Sequence, residues 1–398
     1  MKKIAVILFV PLLLFFWILK PILKIRWSKK YFSDRVGHMV SEMEHYFRYR
    51  ELKKKSTFDI FPKKLFKNKN PSNKFLQNHY KKKIFTINDN LIKLFQKTQN
   101  FIEKNFSNIK FENFDKELST RDKYKIFNNT YKPTIRFSKI DMKQIDKFKS
   151  EIELKDSDKL VCLIIRDSKY LKDRFPNLDL SYHDYRDSDI NTFVYGINYL
   201  IKMGFKVIRM GKNQKKSVKI LNKNYFDYSS SNLKTDLIDV WLMSRCNLCI
   251  STGTGLDQIA RVFNIPTLFI NHLPLSDWSS HFKSLTHPKY LIKKKNNELL
   301  TLNDQIRYSS LRASDYKKNN IRIIDLNKRE ILNCIREFIL LNNNNWALSE
   351  KKLEKQKDFR RIFKKAIKKY QTHIDFHEYI NKHAYISENF LKKIKTSL

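Results

Sequence analysis

The stretch CISTGTGLDQIA, residues 249–260, contains Gly253 and Gly255, two of only six glycines in 398 residues. Glycine lets backbone turn at positive φ or lie close to a ligand, so a sparse supply concentrated in one bend marks a candidate site. The bend sits where an apolar run gives way to a helical pattern. There the backbone N–H groups and the hydroxyls of Ser251, Thr252 and Thr254 suit phosphate oxygens. Arg166, Arg186 and Arg209 are candidate cationic partners, because a planar guanidinium pairs with phosphate in two-pronged fashion. His183, Gly211 and Asn271 complete the donor-side candidates. A triphosphate P-loop needs Gly-Lys-Ser/Thr, which is absent, and a dinucleotide fingerprint needs a third glycine where Gln258 stands. A nucleoside diphosphate-sugar fits better, with two phosphates, no need for a triphosphate lysine and three arginines available as cationic partners. Plainer roles stand beside these. Arg209 could pair with Asp236 or Asp239, Ser251 and Thr252 could cap the next helix, and His183 could be an ordinary loop residue.

These residues converge only if particular elements carry them. LVCLIIR (160–166) is a β-branched apolar run of the kind buried on both faces of a sheet. A polar loop follows, then a helix in which Ile190, Phe193, Val194, Ile197, Leu200 and Ile201 keep an i, i+3, i+4 stripe, capped by Asp187 or Ser188 and ended by Gly204. FKVIRMG (205–211), a helix from about Thr235, NLCIS (247–251), a helix over 255–265 and TLFIN (267–271) continue the alternation. Such alternation predicts a parallel, doubly wound α/β sheet with ligands at the carboxyl ends of its strands. NKREILNCIREFILLNN and EKKLEKQKDFRRIFKKAIKKYQ read as helices near the carboxyl terminus. Residues 27–150 are less patterned, with one loop candidate, FSDRVGHMVSEMEHYF (32–47).

The chain has 80 Lys and Arg against 40 Asp and Glu, a formal charge of +40. No zinc finger, RNA-recognition signature or helix-turn-helix pattern accompanies it, so a basic surface facing a membrane and phosphorylated substrates is expected rather than a nucleic-acid partner. Cys162, Cys246, Cys249 and Cys334 do not form a secreted disulfide framework, and the lone Cys246-x-x-Cys249 lacks the ligands of a zinc site, so buried thiols are expected. Residues 4–19, IAVILFVPLLLFFWIL, are uncharged and apolar, with Lys2 and Lys3 before them and Lys20, Lys24, Arg26, Lys29 and Lys30 after. As a helix they reach about 24 Å, a little under a bilayer core. No small-x-small cleavage site follows, so an uncleaved anchor, spanning or re-entrant, with the body on the cytoplasmic side, is the expectation.

RVGHM, VCLIIRDS, HDYRDSD, KVIRMG, DYSSS before an acidic helix, CISTGTGL and AYISENFL together resemble the ordered motifs of a bacterial family of glycosyltransferases from surface-polysaccharide loci, distantly similar to fucosyltransferases. The resemblance covers most of the chain from about residue 25. It implies a GT-B-like arrangement of two Rossmann-like domains facing a cleft: a membrane anchor over 1–26, an acceptor domain over 27–150, a nucleotide-sugar domain over 151–325 and a helical segment over 326–398. Arg186 would then neutralise the departing nucleotide diphosphate. Family members often carry Arg-Asn where this chain has Arg186-Asp187. His38 would be the base that deprotonates the acceptor hydroxyl, on an acceptor-side loop with Arg35, Gly37 and Glu42, with Glu42 and Glu44 as rivals. The implied reaction is metal-independent hexosyl or deoxyhexosyl transfer from a nucleotide-sugar, without a further cofactor, to a glycan or lipid-linked acceptor at the cytoplasmic face of the inner membrane. A non-catalytic nucleotide- or glycan-binding scaffold is the alternative.

Overall fold

The computed structural model describes residues 2–28, 35–54, 56–63, 71–119, 132–212, 214–278, 283–309, 312–371 and 380–394. The chain divides into two compact units, Met1–Ile126 with Tyr131–Arg136, and Phe127–Thr130 with Phe137–Leu398.

The first unit runs α1 (Lys2–Ile18), β1 (Lys24–Trp27), α2 (Val36–Lys53), β2 (Thr57–Pro62), α3 (Lys74–Lys81), β3 (Phe85–Ile87) and α4 (Asp89–Asn105). Its three strands form a parallel sheet in the order β1-β2-β3. The structure corrects the expectation of an N-terminal membrane helix. No helix among the described residues is long and apolar enough to cross a membrane. One face of α1 instead packs on α4: Leu13 is buried, the rings of Phe9 and Phe16 lie 5.9 and 6.3 Å from that of Phe95, and Thr98 Oγ1 donates to the Val6 carbonyl at 3.4 Å. Arg26, read from the sequence as part of a basic flank, is buried in β1. Its guanidinium donates to Asp59 at 2.7 Å and Glu117 at 2.6 Å. Burial alone would lower its pKa, but the two carboxylates outweigh that and hold it above the ordinary arginine value.

A second difference concerns residues 32–47. Residues 32–34 lie outside the described ones, and from Val36 the expected loop is the helix α2. The signal was hidden because α2 buries Ser41, Glu44, His45 and Arg48 beside Met39, Val40 and Met43, leaving no apolar stripe to read.

The second unit carries α5 (Lys139–Glu151), β4 (Lys159–Ile164), α6 (Lys169–Arg174), α7 (Val194–Lys202), β5 (Phe205–Met210), β6 (Tyr225–Asp227), α8 (Asp236–Arg245), β7 (Leu248–Ser251), α9 (Asp257–Val262) and β8 (Thr267–His272). It continues with β9 (Ser284–Pro288), β10 (Tyr290–Lys293), α10 (Leu302–Arg307), α11 (Ala313–Lys318), β11 (Ile321–Ile324), α12 (Lys328–Asn343), α13 (Glu350–Tyr370), β12 (Ala384–Ile386) and α14 (Glu388–Lys393). Seven strands make one parallel sheet ordered β12-β9-β8-β7-β4-β5-β6, while β10 and β11 pair antiparallel beside it. The apolar strands are buried because helices cover the sheet, and the core joins Val161, Leu163, Ile250 and Leu268 to Ile331, Ile335 and Phe338 of α12 and Phe359 and Phe363 of α13. Asp189, rather than Asp187 or Ser188, caps the turn Ile190–Phe193 that leads into α7. The carboxyl-terminal residues are not only helical, since β12 pairs with β9 as an edge strand.

Candidate functional site

Parallel register aligns the carboxyl ends of the central strands. Ile164 of β4 lies opposite Ser251 of β7 and Met210 of β5, and Ser251 lies opposite Phe269 of β8. The loops leaving these ends meet. Thr252 N–H donates to the Ile164 carbonyl at 3.1 Å, and Arg166 N–H donates to Thr252 Oγ1 at 2.8 Å. The Arg166 carbonyl accepts from Ser188 N–H at 3.0 Å, which ties in the loop that carries Arg186.

Arg186 ends a 3-10 helix, Ser181–Arg186, and its Nη2 donates to the Gly253 carbonyl at 2.7 Å. Gly253 has φ +82°, and a Cβ there would stand 3.0 Å from His272 Nδ1 and 3.7 Å from Arg186 Nη2. The glycine is therefore required twice, for its left-handed backbone and for the close approach of the His272 ring. Arg166 is largely buried, with Nε 3.3 Å from Asp187 Oδ1. Burial, then the nearby charge of Arg186, lowers its pKa, and Asp187 opposes the shift. Burial likewise raises the Asp187 carboxyl, against the pull of Arg166. Arg166 Nη2 and Arg186 Nε are buried N–H groups with no acceptor among the described residues.

The expected phosphate-facing amides are engaged inside the bend. Gly253 N–H donates to Ser251 Oγ at 3.0 Å, Thr254 N–H to Asp257 Oδ2 at 2.6 Å, and Ser251 Oγ to the same Asp257 oxygen at 2.7 Å. Thr254 Oγ1 accepts from Leu256 N–H at 3.3 Å. Asp257 is buried, and that burial raises its pKa against the bonds from Thr254 and Ser251. Gly255 is exposed at the tip. What this edge presents most directly is thus the pair of guanidinium groups, with the bend as their scaffold.

The remaining donor-side candidates divide. Arg209 is buried and its Nη1 pairs with Asp227 Oδ2 at 2.9 Å, its register partner on β6, rather than with Asp236 or Asp239. Gly211 has φ +129° against the Gln214 side chain. Asn271, at φ +54°, is a buried clamp: its Nδ2 donates to Ser188 Oγ at 3.3 Å and its Oδ1 accepts from Leu326 N–H at 2.9 Å. His183 is half-buried with its ring 4.0 Å from that of Tyr182. Sequence reasoning missed Lys289, whose Nζ pairs with Asp325 at 2.8 Å and donates to the Asp187 carbonyl at 2.5 Å. Burial lowers its pKa. It also missed His272, which extending the β8 run by one residue would have found.

In the first unit, Arg35 is the exposed N-cap residue of α2 and Gly37 is buried in its first turn. His38 is half-exposed with Nδ1 3.4 Å from Glu42 Oε1, one helical turn on. The rival Glu44 is buried and accepts from Tyr80 Oη at 3.0 Å and from Thr134 N–H and Oγ1 at 2.7 Å each. It is a structural acceptor. All four cysteines are buried free thiols, and among the described residues no group of three His, Cys, Asp or Glu could hold a metal.

No protein-family model and no curated protein matches the sequence. Among solved structures, the chain is similar to a glycosyl transferase of family 9 from Veillonella parvula DSM 2008, with 11% identity, 80% of this chain and 96% of that one covered, and a TM-score of 0.43. It is also similar to the E. coli ADP-heptose LPS heptosyltransferase II, with 10% identity, 81% and 99% covered, and a TM-score of 0.39. Both likenesses are loose.

Proposed function

We propose that the chain is a glycosyltransferase of GT-B type, with the diphosphate of a nucleotide-sugar held against Arg166 and Arg186 at the carboxyl edge of the seven-stranded sheet. The observation that carries this reading is the pair of neighbouring guanidinium groups, Arg166 and Arg186, each with a buried N–H that has no acceptor among the described residues, while Asp187 is ion-paired with Arg166 alone of the two. A diphosphate supplies both the charge and the acceptor oxygens that such a pair favours. As the bond to the sugar breaks, negative charge grows on the leaving diphosphate, and cations fixed beforehand stabilise that charge without reorganising. No metal is needed for this step in the proposal. His38, supported by Glu42, is the proposed base that takes the proton of the acceptor hydroxyl, with Arg35 and Gly37 on the same helical end. The acceptor is a glycan or a lipid-linked glycan.

The test begins with thermal shifts against UDP-, GDP-, ADP-, CMP- and dTDP-linked sugars, since a ligand that binds only the native state raises the melting point. The sugar that shifts it is then the substrate in an assay of nucleoside diphosphate release. Arg186→Ala should lower turnover by about a hundredfold or more, and His38→Ala should lower it and flatten its pH profile. Binding without release in any acceptor mixture would favour the scaffold reading. Release by Arg186→Ala at the parent rate would remove the mechanism.

A further inference from the structure

The helix α1 is apolar all round, but only one side of it is covered. Its outer side exposes Ile4, Ile7, Leu8, Leu12, Phe15 and Ile18, and Ile22 prolongs the row beyond the helix. The spacing of three and four residues makes this one continuous stripe, opposite the side that packs on α4. Leu8 is 71% and Ile18 65% exposed, whereas Leu13 between them is fully buried. Over Ile4–Ile18 the stripe is about 21 Å long at 1.5 Å per residue, larger than the isolated apolar side chains of ordinary surfaces.

Charge decides what covers it. Lys2 and Lys3 precede the stripe in sequence, and Lys20 and Lys24 at its other end share a single carboxylate, Glu112, at 3.3 and 3.5 Å. A second copy of the chain laid along α1 would bring lysines against lysines in either orientation. An anionic lipid surface meets both ends favourably and takes the apolar row between them.

We propose that the outer face of α1 lies in the plane of an anionic membrane, its apolar stripe inserted into one leaflet without crossing it. This inference is independent of the catalytic proposal, because it rests on the first unit alone.

The test uses the full chain and co-sedimentation with vesicles of phosphatidylcholine alone and of an equimolar mixture of phosphatidylcholine and phosphatidylglycerol. The parent protein should pellet with the mixed vesicles and much less with the neutral ones. Leu8→Glu/Ile18→Glu changes two outward residues and should cut the bound fraction about tenfold or more while leaving the melting curve in place. Covalent footprinting of residues 4–22 on the unaltered chain supplies a second readout, with protection on adding mixed vesicles expected. The proposal is overturned by equal binding to both vesicles, by unchanged binding of the double variant, or by absent protection. Light scattering that shows a dimer dissolved by the double variant, with no vesicle binding, would assign the face to a second copy instead.

Discussion

At the scale of single residues, Gly253 is the position on which the site geometry turns. Its carbonyl anchors Arg186, its left-handed backbone shapes the bend, and its missing side chain lets His272 approach. Alanine there would have to hold φ near +82° and place a methyl 3.0 Å from His272 Nδ1. Gly253→Ala is expected to destabilise the second unit by about 1–3 kcal/mol. Chemical denaturation would read it as a lower midpoint at constant slope, and a midpoint equal to the parent's would show that the bend relaxes freely. Arg209 shows the opposite outcome of residue-level reasoning. The sequence offered it carboxylates on α8, but strand register supplies Asp227 instead, and that strand is only three residues long. No periodicity can be read from three residues.

Among the elements, β9 joins chemistry to packing through His287. This residue is fully buried, its Nδ1 donating to the Pro288 carbonyl at 2.8 Å, with Tyr290 Oη 3.3 Å from Nε2 and the Phe390 ring of α14 at 5.7 Å. Burial pushes its pKa down to about 4, with Glu330 of α12 raising it and Lys393 of α14 lowering it. The unfolded chain then binds a proton between about pH 6.5 and 4 that the native chain refuses, so stability falls as pH falls through that window. Thermal melting should show this loss, and His287→Gln, melted in the same buffers, should flatten the slope over that range. An unchanged slope would assign the acid sensitivity to other groups. His79, also pushed down to about 4 by burial, contributes in the same direction from the first unit, so the expected change is a reduction and not its disappearance. The strands β4, β5, β7 and β8 were legible because a strand buried on both faces is a continuous run of branched apolar residues. The edge strand β12 is three residues long, and α2 buries polar residues, so neither carries the pattern that sequence reading depends on. Strand ends could be counted to Arg166 and Ser251, but the Ser251–Asp257–Thr254 network depends on how the bend folds back, which spacing alone does not give.

For the molecule as a whole, the excess of 40 positive charges is a surface property that the fold must bear. Ion pairs away from solvent, Arg26 with Asp59 and Glu117 in one unit and Arg209 with Asp227 in the other, respond little to salt. The unmatched lysines are mostly exposed, and their mutual repulsion opposes the compact state. Raising ionic strength from about 0.01 to 0.15 M shortens the screening length from about 30 to 8 Å and removes most of that repulsion. The melting temperature should therefore rise with sodium chloride by about 2–5 °C over that range. The same salt series separates the charge from a nucleic-acid role, because specific neutralisation of phosphates would appear as a steep loss of affinity for mixed-sequence DNA. A melting temperature that stays level or falls with salt would mean that the uncompensated lysines lie too far apart on the surface to repel one another measurably.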